Sequence, residues 1–486
     1  MSKNILYYGD NLDILRRHIK DESIDLIYLD PPFKSNQDYN ILFAEKNGSK
    51  SKAQVKAFED TWEWTEESAA AYHDIIEKGP ERVSKTMQGF DKILDKNDML
   101  AYLSMMAPRL VELNRVLKAT GSIFLHCDPT ASHYLKILMD AVMGPGNFRN
   151  EIIWTYRKFG RSGCYYPRSH DVILFYSKET GNKFNVQYVK PSESTLKRWG
   201  TKKRGGKDPY NRYATEEESP GAIMPDYWDI NLIIGANPQR LGYPTQKPED
   251  LLERIIKGSS NKGDLILDPF CGCGTAVAVA EKLKRRWIGI DITHLAIALI
   301  KDRLQRAFGS KVSYSVIGEP VSLTEAKTLA ESDPYQFQWW SLGLVGARKA
   351  EQKKGADKGI DGRLLFHIDP KTRDTQEIII SVKSGKLKPE YLRDLRGVVE
   401  REQAAIGVLI CMEDPTKPMR HEAATGGFYV SPWGKHPKIQ ILTIEDLLSG
   451  KRIDYPPSQQ VNITYKKSPV AGVSLTPKKL PYREEE

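Results

Sequence analysis

No apolar run in the 486 residues approaches the ~18–20 needed to cross a bilayer as a helix. The opening stretch MSKNILYYGDNLDIL has no extended apolar core of the kind a secretory leader requires. Cysteine is sparse: Cys127, Cys164, Cys271, Cys273 and Cys411 are widely scattered and odd in number. That excludes a disulfide framework and predicts a reducing, cytosolic compartment. Cys271 and Cys273 form C-x-C with no second Cys/His pair at zinc spacing nearby, which argues against a metal site there. Acidic residues are outnumbered, 63 against 72 Lys and Arg, giving a net charge of +9. A basic balance fits a polyanionic partner such as nucleic acid. With 40% hydrophobic and 28% charged residues the composition is that of a globular protein. The length calls for two or three domains, and internal repeats are lacking.

What is present reads first as α/β. Ile5 to Tyr8 predicts a short strand ending at Gly9-Asp10, and Leu12, Leu15 and Ile19 predict a helix after it. Ile24 to Leu29 predicts a buried strand, stopped by Asp30-Pro31-Pro32-Phe33, where two prolines forbid further ladder bonds. From Lys34 to about Asp95 the chain is polar and reads as a long mobile insertion. Met99 to Leu117 has helical spacing, Gly121 to His126 is a strand, and Ala131 to Met143 is a helix. Ile152 to Tyr156 and Val172 to Tyr176 predict a hairpin. A helix from Pro248 to Lys257 precedes the strand Leu265 to Leu267, a glycine-rich loop, a helix to about Leu283 and the strand Trp287 to Ile290. This order is the nucleotide-binding half of a doubly wound sheet. Residues 310–334 read as a linker, 335–450 as a second α/β unit, and 451–486 as a Pro- and Lys-rich flexible tail.

The glycine-rich loop lacks two familiar features. It is not G-x-G-x-x-G, since Ala276 follows Thr275, and no G-K-[ST] follows, so phosphate is not its evident ligand. Asp268 at the strand end can accept from a ligand ammonium. Gly272 and Gly274 allow close backbone approach. Asp291, at the next strand end, is placed to hold ribose hydroxyls. Alone, the loop reads equally as a glycine-rich turn with a satisfied aspartate.

Asp30-Pro31-Pro32-Phe33 tips the balance. The amine on a base ring is a poor nucleophile because its lone pair is delocalised. It improves when both N–H bonds donate, one to the Asp30 carboxylate and one to the Pro31 carbonyl, which proline helps to hold in place. Phe33 offers a face for an extruded base. The pattern resembles the beta-class DNA amino-methyltransferases, in which D-P-P-[YFW] precedes the cofactor loop with the target-recognition region between them. The resemblance covers roughly residues 1–305. It implies a doubly wound, Rossmann-like core in two parts, 1–177 carrying the catalytic residues and 241–309 binding the cofactor, with target recognition in 178–240. It further implies S-adenosyl-L-methionine as donor, bound by Asp268, Phe270, Gly272, Gly274, Thr275 and Asp291. Thr245 and Lys247, in the stretch Tyr243 to Pro248, would lie near its methionine end. Asp10 matches a short motif near the target base. Double-stranded DNA is the implied partner, and family members are often homodimers. Asp30, where cytosine N4 enzymes often carry Ser, favours adenine N6 over cytosine N4. The implied setting is prokaryotic or phage restriction-modification or epigenetic marking.

Two further segments matter. Lys197, Arg198, Lys202, Lys203 and Arg204 crowd between the two signatures with Trp199, Tyr210 and Tyr213, where they would meet phosphates. Asp361, Ser381 and Lys383 resemble the core of the PD-(D/E)XK nucleases, with Gln336 and Gln338 where a supporting Glu often lies. An active site of that kind would bind Mg²⁺, but Ser381 replaces an expected acid, and hard cations prefer carboxylates. The second unit reads as a weakened nuclease or a DNA-binding relic. The rival to methyl transfer is an Mg²⁺-dependent endonuclease that uses the first unit for recognition.

Overall fold

A computed structural model describes residues 4–32, 64–157, 163–199, 218–234, 237–241, 243, 246–349, 359–367, 375–431 and 434–456. The first elements are β1 (Asn4–Tyr8), α1 (Asn11–His18) and β2 (Ile24–Leu29). All six β2 residues are buried, as expected of a central parallel strand covered on both faces. Its charged member, Asp25, is held by Lys118 and Lys183 and by the Leu265 N–H. Helices α2 (Glu66–Lys78) and α3 (Glu81–Leu94) follow, in a stretch expected to be a mobile insertion. They are ordered because Ile75, Val83, Met87 and Phe90 pack into the core. The spacing of the last three is helical, but polar neighbours obscured it. The rest of the expected insertion up to Glu63 lies outside the described residues.

Next come α4 (Asp98–Val116), β3 (Leu117–Cys127), α5 (Ser132–Met143), β4 (Phe148–Thr155) and β5 (His170–Ser177). The short β6 (Tyr188–Val189), α6 (Glu193–Trp199), β7 (Ala222–Ile223) and β8 (Tyr227–Asp229) lead to α7 (Glu249–Ser259). The cofactor half is β9 (Leu265–Asp268), α8 (Thr275–Lys282), β10 (Arg286–Asp291) and α9 (His294–Phe308). The stretch expected as a linker supplies β11 (Tyr314–Ile317) and α10 (Leu323–Ser332). Strand β11 pairs in parallel with β1, from Asn4↔Tyr314 to Tyr7↔Ile317.

One nine-stranded sheet results, in the order β11-β1-β10-β9-β2-β3-β5-β4-β8. β11 through β3 are parallel to one another and β5 is antiparallel to both neighbours. Crossovers run outward in opposite directions from β9 and β2, so the gap between these two strands is a topological switch point, where such sheets bind ligands. Apolar clusters cover both sheet faces, and each Leu or Ile buried there contributes about 1.5–3 kcal/mol.

After α11 (Pro334–Leu344), a second sheet forms from β12 (Arg348–Lys349), β13 (Gly362–His367), β14 (Thr375–Lys383), β15 (Ile406–Cys411) and β18 (Ile439–Thr443), in that order. Its helices are α12 (Glu390–Arg401), α13 (Lys417–Ala424) and α14 (Ile444–Leu448), and β16 (Phe428–Ser431) pairs with β17 (Gly434–Pro437). The chain is thus α/β throughout, a large doubly wound sheet with an additional smaller one. Among the described residues no helix is long and apolar enough to cross a membrane. The expected flexible tail beyond Pro456 lies outside the described residues.

Candidate active site

Asp30, Asp268 and Asp291 stand at the C-terminal ends of β2, β9 and β10, three neighbouring parallel strands. Register alone therefore gathers carboxylates that are 261 residues apart in sequence at one sheet edge.

The loop from Asp268 to Thr275 is shaped by its glycines. Gly272 and Gly274 have φ of +49° and +72°, a region that costs other residues strain. A Cβ on Gly274 would stand 2.7 Å from Ile300 Cγ1, and one on Gly272 3.2 Å from Tyr243. Asp268 is buried, and burial pushes its carboxyl well above the usual range. Among the described residues its hydrogen bond comes from the Phe270 N–H at 3.1 Å. A buried carboxylate without a cationic partner bonded to it suits a ligand ammonium. Asp291 accepts from the Gly272 N–H at 2.8 Å and from the N–H and hydroxyl of Thr293 at 2.9 and 2.8 Å. The Ile292 N–H also donates toward this carboxylate. Burial raises its pKa to about 6. Phe270 is half-buried against the core. The Thr275 hydroxyl faces protein, accepting from Arg303 at 3.0 Å.

Asp30 carries the Lys247 ammonium on Oδ2 at 2.5 Å. Lys247, expected near the methionine end of the donor, thus links the two signatures. Pro31 is buried and Pro32 half-buried. Phe33 and Thr245 lie outside the described residues. Asp10 caps α1 through the N–H groups of Leu12 and Asp13, and its other oxygen pairs with Arg109 at 2.6 Å. The adjacent Gly9 N–H donates to the Asp291 carbonyl at 2.9 Å, which sets Asp10 beside the end of β10.

Three groups at this edge escaped the sequence reading. Arg303, 2% exposed, joins the Cys273 carbonyl, the Thr275 hydroxyl and the Glu249 carboxylate. Its signal was a cation within the apolar stripe Ile297, Ile300, Leu304. The fully buried His126 has Nδ1 3.2 Å from the Tyr28 hydroxyl and Nε2 3.1 Å from Asp171 Oδ2. Tyr156 donates to Asp171 Oδ1 at 3.0 Å. Burial alone would raise the Asp171 pKa, but the His126 bond and charge bring it below the usual value. The signal was a lone histidine in the apolar strand Ile123-Phe124-Leu125-His126. Since β5 runs antiparallel to β3, Asp171 returns to the Asp30 edge of the sheet.

Of the basic segment, Lys197 is exposed on α6. The Arg198 side chain and Lys202, Lys203 and Arg204 lie outside what is described. In the second sheet Asp361 Oδ2 accepts from the Ser381 hydroxyl at 3.1 Å and the Val382 N–H at 2.7 Å, with Lys383 Nζ at 3.7 Å. One carboxylate and one hydroxyl make a poor Mg²⁺ site, and no three His, Cys, Asp or Glu among the described residues could hold a metal ion together. Gln336 does not support this site. It lies on α11, where its carbonyl accepts from the His294 N–H of α9 at 3.3 Å.

A family model described as DNA methylase matches residues 24–302. A second, described as NACHT-associated inactive Restriction Endonuclease 1, matches 335–449. The chain is similar to the type II methyltransferase M.HpaI of Haemophilus parainfluenzae, 31% identical over 235 residues, 48% of this chain and 68% of that one. It is 28% identical to the type II methyltransferase M.BamHI of Bacillus amyloliquefaciens, over 62% of this chain and 56% of the relative. The DNA adenine methyltransferase YhdJ of Escherichia coli (strain K12) is 26% identical, with coverages of 68% and 93%. Among solved structures, PvuII DNA methyltransferase, named as cytosine-N4-specific, matches 62% of this chain and 86% of its own at 16% identity and a TM-score of 0.36.

Proposed function

The chain belongs to the DNA methylase family, and from that premise we propose that it methylates the exocyclic N6 amine of adenine in double-stranded DNA, with S-adenosyl-L-methionine as donor. The observation that carries the reading is the juxtaposition of Asp30 with Asp268 and Asp291 across the switch point. Asp268 accepts from the donor's ammonium, Asp291 accepts from a ribose hydroxyl, and Gly272 and Gly274 give the loop the tight turn that brings its backbone against the ligand. When bound, the donor would supply an electrophilic methyl group on its sulfonium, and cleavage of the S–CH3 bond would leave the neutral thioether S-adenosyl-L-homocysteine. Asp30 and the Pro31 carbonyl accept from the two N–H bonds of an extruded base, which turns the nitrogen lone pair toward the methyl, and Phe33 stacks on the ring. Lys247 holds the Asp30 carboxylate in place beforehand, which makes it a positioning residue. As positive charge develops on nitrogen, Asp30 stabilises it, and the amine proton then leaves to solvent. No metal or covalent intermediate is required.

Asp30 is also the basis for adenine over cytosine N4. Residues 178–240 serve target recognition, with Lys197, Arg198, Lys202, Lys203 and Arg204 on phosphates. The second sheet, residues 335–450, is a restriction-endonuclease-like unit without Mg²⁺ chemistry. The endonuclease alternative finds no support, since its acid position is Ser381 and the matching family is described as inactive. Incubation with methyl-labelled donor and mixed-sequence DNA, followed by nucleoside mass spectrometry, tests the reading. Labelled N6-methyladenine is expected. N4-methylcytosine would reverse the base assignment, and absence of label would overturn methyl transfer.

A further inference from the structure

Helix α9 begins immediately after Asp291 and Thr293. Like any helix it opens with backbone N–H groups that have no partner within the helix. Thr293 takes care of the Ala296 N–H through its hydroxyl and of Ile297 through its carbonyl. The His294 N–H is buried, and its acceptor is Gln336 Oε1, from α11, 42 residues later. Gln336 is itself 3% exposed and Thr293 and His294 are 1% exposed, so water has little access to replace it. Leaving a buried N–H unpaired is costly.

The contacts around this bond are close. The His294 ring stacks on Tyr8 at 3.7 Å between centroids, and Tyr8 is in register with Asp291 across β1 and β10. Helix α11 lies close along α9: a Cβ on Gly343 would come within 3.6 Å of the Ala298 methyl. From Gln336 a continuous set of bonds and adjacent residues runs through His294 and Thr293 to Asp291, and from Asp291 to the Gly272 N–H of the glycine loop. The same α11 carries Phe337 and Trp340 into the core of the second sheet. One helix is therefore shared between the second core and α9, whose start is bonded through Asp291 to the glycine loop.

We propose that Gln336 is a positioning residue for the methyl donor and that the restriction-endonuclease-like unit acts, through α11, as a brace for the donor pocket. Its place in this chain is then that of a support for methylation and not of a nuclease. The inference rests on the donor assignment above. Because coupling is reciprocal, whatever displaces α11 weakens donor binding, and a bound donor holds α11 in place.

The test is made on the full chain with Gln336→Met, which keeps the volume and removes the acceptor, and Gln336→Glu, which restores an acceptor at a helix N-terminus. Gln338→Met, on the same helix, serves as control, and thermal melting verifies the fold. Donor affinity is measured by calorimetry with S-adenosyl-L-methionine, and steady-state kinetics separate donor KM, DNA KM and kcat. Gln336→Met is expected to raise donor Kd and KM about three- to tenfold, with kcat at saturating donor and DNA KM unchanged. Gln336→Glu and Gln338→Met are expected to remain near the wild-type values. An unchanged donor Kd in Gln336→Met, or an equal rise in donor and DNA KM, would overturn the proposal while leaving the donor assignment standing. A wild-type chain that binds no donor would overturn both.

Discussion

The Lys247 ammonium rests on the Asp30 carboxylate at 2.5 Å, although 217 residues separate them. Replacing Lys247 by Met removes a charge-assisted bond of the kind worth about 1.5–3 kcal/mol. If Asp30 acts only when held in place, kcat falls roughly 10- to 100-fold. Single-turnover kinetics at saturating donor measure this; an unchanged rate would mean that the pair is incidental.

Asp30→Ala should abolish methyl transfer and leave donor binding largely intact, because Asp268 and Asp291 lie on other strands. Calorimetry beside the labelled-methyl assay separates the two. Joint loss would point to damage of the fold.

Donor binding should depend on pH through Asp291, which burial lifts to about 6. The carboxylate form binds a ribose hydroxyl better, so affinity rises as pH increases through about 6 and falls below it. The effect on stability has the opposite sign. A folded pKa raised from 3.8 to about 6 stabilises the free protein below the lower value, and that contribution is lost as pH climbs to the higher one. Donor titrations between roughly pH 5 and 8 should show the rise, and Asp291→Asn should flatten it.

Gly274→Ala forces a side chain into a φ of +72° and toward Ile300. A cost of about 1–3 kcal/mol is expected, seen as a lower melting temperature and weakened donor binding. Gly146, with nothing near a built Cβ, is the control: Gly146→Ala should affect neither.

In the second sheet, Asp361→Ala leaves the Ser381 hydroxyl and Val382 N–H without their acceptor. A loss of about 1–3 kcal/mol in stability is expected. Adding Mg²⁺ should neither raise the melting temperature of the wild-type chain nor produce nicks in plasmid DNA, and EDTA should leave methylation unaffected. Cleavage that appears with Mg²⁺ and vanishes in Asp361→Ala would restore the endonuclease reading.

Much of the sheet was legible because its strands are short apolar runs ended by Asp, Pro or Gly. Ile24 to Leu29 and Leu265 to Asp268 announce themselves in this way. The stripe Val83, Met87, Phe90 was hidden by surrounding Lys, Ser and Gln, and β11 by its half-exposed position, which leaves Tyr314 to Ile317 without a continuous buried run. Long-range pairings had no local signal at all. Nothing near Lys247 points to Asp30, nor near Gln336 to His294. The sequence placed Gln336 by its position before a nuclease-like motif, whereas burial and the unpaired start of α9 determine where its carbonyl goes.

Strand β1 takes both of its neighbours from far along the chain, β10 on one side and β11 on the other. On a ribosome it emerges early and then waits. At about 5–20 residues per second, the partner strand that ends at Ile317 is completed roughly 15–60 s later. Until β10 is made the apolar ribbon Ile5-Leu6-Tyr7-Tyr8 has an unpaired edge on each side, and until β11 is made on one, a target for chaperones or for aggregation. Completion of the large sheet is therefore a late event of synthesis, and a nascent chain halted before β11 would carry Asp30 and its prolines in a sheet that still lacks an edge strand.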